Sequence, residues 1–187
     1  MPGKKEYCNE CNATVVTWYA TIGFDPAISS CFYVFQVVEE DYMIRNYLKA
    51  VEIYSSETGT WDLTESESEC IHFLGRITYF NGFLHLPMSS NAVASVGTKG
   101  QPWRVTQVQY EDRHKDQGRG YVGHSQGRLL YVSNVRKNDV MSIYVLEDKD
   151  SGEWTLKHKV SKPDLLFEPW KFLMGPTYYI AGFHPND

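Results

Sequence analysis

Gly123-His124-Ser125-Gln126-Gly127 fits the G-x-S-x-G pattern of a hydrolase nucleophile elbow. In an elbow of that kind a strand delivers the serine on a strained turn. A helix follows, and its N-terminus helps hold the oxyanion. An acid and a base must lie downstream, and Asp139, Asp148, Asp164, His158 and His184 supply the residue types. The surroundings argue for something else. Arg128-Leu129-Leu130-Tyr131-Val132 follows the serine and reads as a strand, not a helix. The chain left after it is too short for the sheet and helices of an α/β-hydrolase. Ser125 is therefore expected at the polar tip of a hairpin, and no catalytic residue is assigned. The alternative, a serine esterase using Ser125, predicts ester hydrolysis that Ser125→Ala abolishes.

A second pattern with chemical potential is Cys8-Asn9-Glu10-Cys11, the spacing of half a zinc site. A structural zinc takes four ligands. No second C-x-x-C follows, and Cys31, Cys70 and His72 would complete the set only by an accident of folding. Neither a metal nor a cofactor is expected. His72, His85 and His124 lie beside strand-like runs, where a hydrogen-bonding role suits them. Lys157-His158-Lys159 reads as a solvated strand face. No residue is singled out as contacting a substrate.

The elements that would carry these residues are strands. Tyr, Phe and Trp number 13, 9 and 5 among 187 residues, and Val and Ile are frequent. Such side chains fit a pleated, half-buried surface. The net charge of −5 argues against a nucleic-acid partner, which would need a basic face. No apolar run reaches the roughly 20 residues that span a membrane, and the first residues lack the apolar stretch of a signal peptide. Four cysteines without such a peptide imply reduced thiols and a cytoplasmic or nuclear setting.

Residues 1–19 are expected to be a loose leader, with Thr14–Ala20 a candidate first short strand, and Gly23-Phe24-Asp25-Pro26 breaks the run. Cys31–Val38 has the length of a buried strand, and Glu39–Tyr47 reads as a polar connection. Ala50–Tyr54 alternates, turns at Ser55–Gly59 and returns through Trp61-Asp62-Leu63. Glu65–Glu69 is a solvated acidic loop. Asn81-Gly82 is the strongest hairpin signal in the chain, because both residues tolerate positive φ. His124-Ser125-Gln126-Gly127 takes the equivalent place one unit later. Strands are further expected at 92–96, 103–105, 120–123, 128–132, 141–146 and 154–160. Residues 111–119 form a charged surface loop, and 172–183 is again strand-like.

These pieces repeat. Glu57-Thr58-Gly59-Thr60-Trp61 is matched by Asp150-Ser151-Gly152-Glu153-Trp154, and Gln101-Pro102-Trp103 is a degenerate copy. A period of about 40–50 residues with four strands per unit is the mark of a β-propeller blade. Trp61, Trp103 and Trp154 are expected to be apolar plates between adjacent sheets. The fold class is thus all-β, a kelch-like partial β-propeller. Three units are too few to close a ring, so the domain, 20–187, is expected to be incomplete. A β-sandwich of unrelated hairpins is the alternative architecture.

Several of these stretches resemble the kelch-like associated domain of plant F-box proteins, grass sequences above all. They are Gly23-Phe24-Asp25-Pro26-Ala27 with Tyr33–Val38, Val51–Trp61, Tyr79–Gly82, Gly123–Leu129, Ser142–Asp148 and Tyr178–Pro185. The resemblance spans roughly residues 20–187. It implies that the β-repeat domain recruits a target protein for ubiquitin-dependent degradation. In that family an N-terminal F-box docks on Skp1 within a cullin-based ubiquitin ligase. No leucine- and proline-rich F-box segment precedes the repeats here. The chain is therefore expected to join the Skp1/cullin complex only as part of a product that carries an F-box. The family's target contacts lie in variable loops, so no binding residue carries over. A free-standing module for another ligand, such as a glycan, is the other binding alternative.

Overall fold

The computed structural model describes residues 14–26, 29–42, 45–66, 77–89, 91–98, 103–109, 119–134, 140–148 and 151–161. The described residues form twelve strands and no helix. They build three antiparallel four-stranded sheets, each with its strands in chain order. The first sheet holds β1 (Thr14–Phe24), β2 (Phe32–Tyr42), β3 (Arg45–Ser55) and β4 (Thr60–Glu65). The second holds β5 (Thr78–Phe80), β6 (Phe83–Pro87), β7 (Ala92–Gly97) and β8 (Arg104–Gln107). The third holds β9 (Arg119–Ser125), β10 (Arg128–Asn134), β11 (Val140–Asp148) and β12 (Glu153–Ser161).

The sheets stack about their first strands. β1 touches β5 and β5 touches β9, while at the other margin β8 touches β12. Side-by-side first strands with successive meanders radiating from them make the blade arrangement of a β-propeller. Each sheet is therefore a blade with its fourth strand outermost. The four-strand repeat expected from the tryptophans is present, and each of these residues stands at the start of a fourth strand.

Two boundaries differ from the sequence reading. β1 begins at Thr14, where the candidate first strand does, but runs past Ala20 and through the expected break at Gly23 to Phe24. Gly23 fits because it is a contact point: a Cβ there would lie 2.6 Å from the Tyr79 ring and 2.8 Å from Phe35. The expected connection over Glu39–Tyr47 is also largely strand. Glu39 pairs with Leu48, Glu40 with Tyr47, Asp41 with Asn46 and Tyr42 with Arg45. Backbone pairing continues from the apolar part of the hairpin across a register shift between Val38 and Glu39, and it outweighs the low β-propensity of those acids. Of the expected loop at 111–119, residues 111–118 lie outside the described residues and Arg119 opens β9. The acidic run 67–69, the strand-like segment 172–183, Cys8, Cys11, Cys70 and His72 also lie outside them.

Two apolar clusters glue the blades. Between the first and second blades, Tyr33, Phe35, Val37, Val51 and Ile53 meet Leu84, Leu86, Ala94 and Val96. Tyr33, Phe35 and Tyr79 form a ring triangle with centroids 5.8–6.4 Å apart. Burial, with the nearby Tyr33 and Asp25, holds the Tyr79 phenol above its usual range. Between the second and third blades, Val93 and Val108 meet Val122, Leu129, Tyr131 and Trp154. Each fully buried large side chain contributes about 1.5–3 kcal/mol relative to exposure.

The three tryptophans do not share one fate. Trp154 is 7% exposed and Trp103 packs partly against the first cluster, but Trp61 is 39% exposed. Each sits on the side of its blade that faces the preceding one. Among the described residues no sheet lies on that side of the first blade. Trp61 rests on Tyr54 instead, with centroids 5.4 Å apart. Cross-strand register places Ile22, Phe24, Phe32, Trp61 and Leu63 on this same open face. All five are exposed.

Candidate functional site

The two-residue reversals inside the blades come first. Asn81 and Gly82 have φ of 55° and 82°, and Gln126 and Gly127 have φ of 48° and 71°. Positive φ at both central residues defines the hairpin turn whose twist matches its strands. Ser125 closes β9 and Arg128 opens β10, paired directly with each other. The serine is thus followed by a tight turn and a strand. The strand–turn–helix geometry of a nucleophile elbow is not formed there.

The reversals into the fourth strands also match. Gly59 N–H donates to the Ser55 carbonyl at 2.8 Å, and Gly152 N–H donates to the Asp148 carbonyl at 3.0 Å. Both glycines have φ of 70°, a left-handed conformation that disfavours other residues. Strand direction puts all these turns at one end of the blades: β1–β2-type turns and β3–β4-type turns share a face in any up-and-down meander.

At that face, between the second and third blades, lies a pocket of about 590 Å³. The volume is ordinary for a ligand site. Phe80, Phe83, His85 and Ser95 line it from the second blade, and Leu129, Leu146 and Trp154 from the third. Asn81 and Gly127, the hairpin tips, stand at its edge, with Arg104, Arg128 and Glu147 around them. The repeated features of the sequence, the turn residues and the fourth-strand tryptophan, meet here.

Specific bonds hold the walls. His85 Nδ1 and Ser95 Oγ are 2.8 Å apart across the β6–β7 pair. Trp154 Nε1–H donates to Thr106 Oγ1 at 3.0 Å, pinning the third blade to the second. Thr78 Oγ1–H donates to the Val122 carbonyl at 2.7 Å, and Tyr131 O–H donates to Asn91 Oδ1 at 3.3 Å. Phe80 stacks on His124 with centroids 4.9 Å apart and planes 16° from parallel. His85 thus has the hydrogen-bonding role expected of it, whereas His124, expected in the same role, stacks on Phe80.

Trp103 also lines the pocket, and its Nε1 is buried with no hydrogen-bond partner. On the third blade, Lys157 pairs with Glu147. That hydrogen bond, helped by the charges of Lys157 and Arg128, draws the exposed Glu147 carboxyl below its usual range. Lys157, His158 and Lys159 are exposed, as a solvated strand face should be.

Among the described residues no group of His, Cys, Asp and Glu could hold a metal ion, and Cys31 is a free thiol. No helix among them is long and apolar enough to cross a membrane. The pocket itself was not legible as a site in the sequence. Its aromatic and arginine residues come from five strands and, with Trp103, from the residue just ahead of β8, and no linear spacing ties them together.

A family model described as F-box protein At3g26010-like, beta-propeller, matches residues 25–177. The chain belongs to this family of F-box-protein β-propellers. The match begins at the turn after β1 and takes in the first blade from β2 onward and the whole of the second and third. No curated protein and no solved structure matches the chain significantly.

Proposed function

We propose that this β-propeller domain is the target-recognition part of an SCF-type ubiquitin ligase adaptor. It holds a target protein for ubiquitin-dependent degradation and performs no chemistry itself. The observation that carries this reading is the open, aromatic-lined pocket on the turn-bearing face of a propeller from the F-box-protein family. A propeller face presents loops from several blades to one partner while the sheets hold them rigid. Neither a cofactor nor a nucleic acid enters the reading, and the cytoplasm or nucleus, where such ligases work, is its setting.

The test is capture of Skp1. The propeller alone is expected to capture none, and a product of the same gene that carries an F-box is expected to capture Skp1 together with its cullin. If the F-box-bearing product captures none either, the ligase reading is lost.

A further inference from the structure

The pocket between the second and third blades also carries information about what it binds, and the inference rests on the recognition role proposed above. We propose that it takes an extended peptide segment of the target in which an aromatic side chain is flanked by a carboxylate. The ring would enter between the blades, and the carboxylate would meet Arg104 and Arg128 at the mouth.

The interior favours a ring. Phe80, Phe83 and His85 stand on one side and Trp154 on the other, so an inserted aromatic side chain meets aromatic faces and edges. His85 and Ser95 already bond to each other, so the floor does not leave this pair waiting for a polar ligand group. The mouth favours an anion. Arg104 on β8 and Arg128 on β10 come from different blades and are both exposed. Glu147 is the one carboxylate among the described residues lining the pocket, and Lys157 engages it. The mouth is therefore locally cationic on a chain whose net charge is −5. Guanidinium groups match the planar fork of a carboxylate, which sets the preference for Asp or Glu beside the ring. Two arginines are too few to hold a run of nucleic-acid phosphates against that overall charge.

Fluorescein-labelled nonapeptide pools provide the test. One pool has a central Phe, Tyr or Trp with Asp or Glu on either side. A second has Lys or Arg as flanks, and a third keeps the acids but has Gly at the centre. Each is titrated by fluorescence anisotropy against the wild-type chain and against Arg128→Glu and Arg104→Glu. Both side chains are exposed, and a melting curve of each variant checks that the fold is kept. The acid-flanked aromatic pool should bind the wild type at least about tenfold more tightly than either other pool, the weight of one charged contact. Charge reversal at either arginine should erase or invert the preference between acidic and basic flanks. The proposal fails if no pool binds, if Gly at the centre binds equally well, or if neither reversal alters the ranking. It fails equally if an oligosaccharide array binds while the peptides do not. The assay contains no ligase component. Loss of Skp1 capture by the F-box-bearing product would leave its result standing, and the converse also holds.

Discussion

The two seams between blades are made from the same repeat and end up unlike. The seam between the first and second blades is closed mainly by aliphatic side chains and by the Tyr33–Phe35–Tyr79 triangle. It is tight enough that Gly23 has no room for a methyl group. The seam between the second and third blades is fastened by three hydrogen bonds, from Thr78, Tyr131 and Trp154, and encloses a pocket beside them. The second blade explains the contrast, because it shows a different face to each neighbour. Leu84, Leu86, Ala94 and Val96 point one way, and Phe83, His85 and Ser95 the other. Dispersion and burial close a seam when both faces are apolar. Where one face is polar, hydrogen bonds can fix the spacing and leave space between the blades.

The strongest way to break this comparison is to remove one ring from each seam. Phe35 is 0% exposed. Phe35→Ala should lower unfolding stability by about 3–5 kcal/mol, the usual loss for a buried phenylalanine. Phe83 lines the pocket and is half-buried. Phe83→Ala enlarges a space that already exists, so its loss should stay below about 1.5 kcal/mol while binding at the pocket weakens. Urea unfolding of the two variants measures both. Equal losses would mean that the second seam is packed as tightly as the first.

The contrast also explains what could be read from the residues alone. Strands, turns and blade period depend on local pattern: alternation, Asn81-Gly82, and the spacing from Gly59 to Trp61 repeated from Gly152 to Trp154. Those were legible, as was the hairpin that pairs Ser125 with Arg128. Glu39–Tyr42 was misread because its acidic composition is a turn signal, while its pairing is set by the partner strand. Trp61 was misread because a repeat assigns equal roles to equal positions, and burial depends on whether a neighbouring blade is present. The pocket escaped detection for the same kind of reason. It exists only where two non-adjacent strand faces fail to fill the space between them.

A smaller effect sharpens the seams through their tryptophans. Trp154 Nε1–H has a partner in Thr106, whereas Trp103 Nε1–H is buried without one. Trp154→Phe removes a made hydrogen bond and leaves the part-buried Thr106 hydroxyl only its 3.4 Å bond to the Val93 carbonyl. It should cost about 1 kcal/mol beyond the change in ring size. Trp103→Phe removes a donor that was already unsatisfied, and relief of that burden offsets the lost ring contacts. Thermal melting of the pair should therefore rank Trp154→Phe well below Trp103→Phe. The reverse order would mean that the outer margin of the second seam is not held by that bond.

The smallest effect is confined to alkaline solution and to the closed seam. Burial raises the Tyr79 phenol above its ordinary value of 10.0, with Tyr33 and Asp25 adding to the shift. Below that value the side chain is neutral in the folded and unfolded chains alike, and its full contribution to stability is present. As pH rises past it, the unfolded chain gives up the proton first while the folded chain retains it. Stability then falls through this window until the folded phenol ionises too, after which the contribution stays lost. Tyr79→Phe has no proton to lose. The gap in stability between wild type and Tyr79→Phe should be constant from neutral pH up to about 10 and should then shift against the wild type. Unfolding free energies of both proteins across that range test the point. Parallel curves would mean that water reaches the phenol, and that the first seam is looser around Tyr79 than its ring contacts indicate.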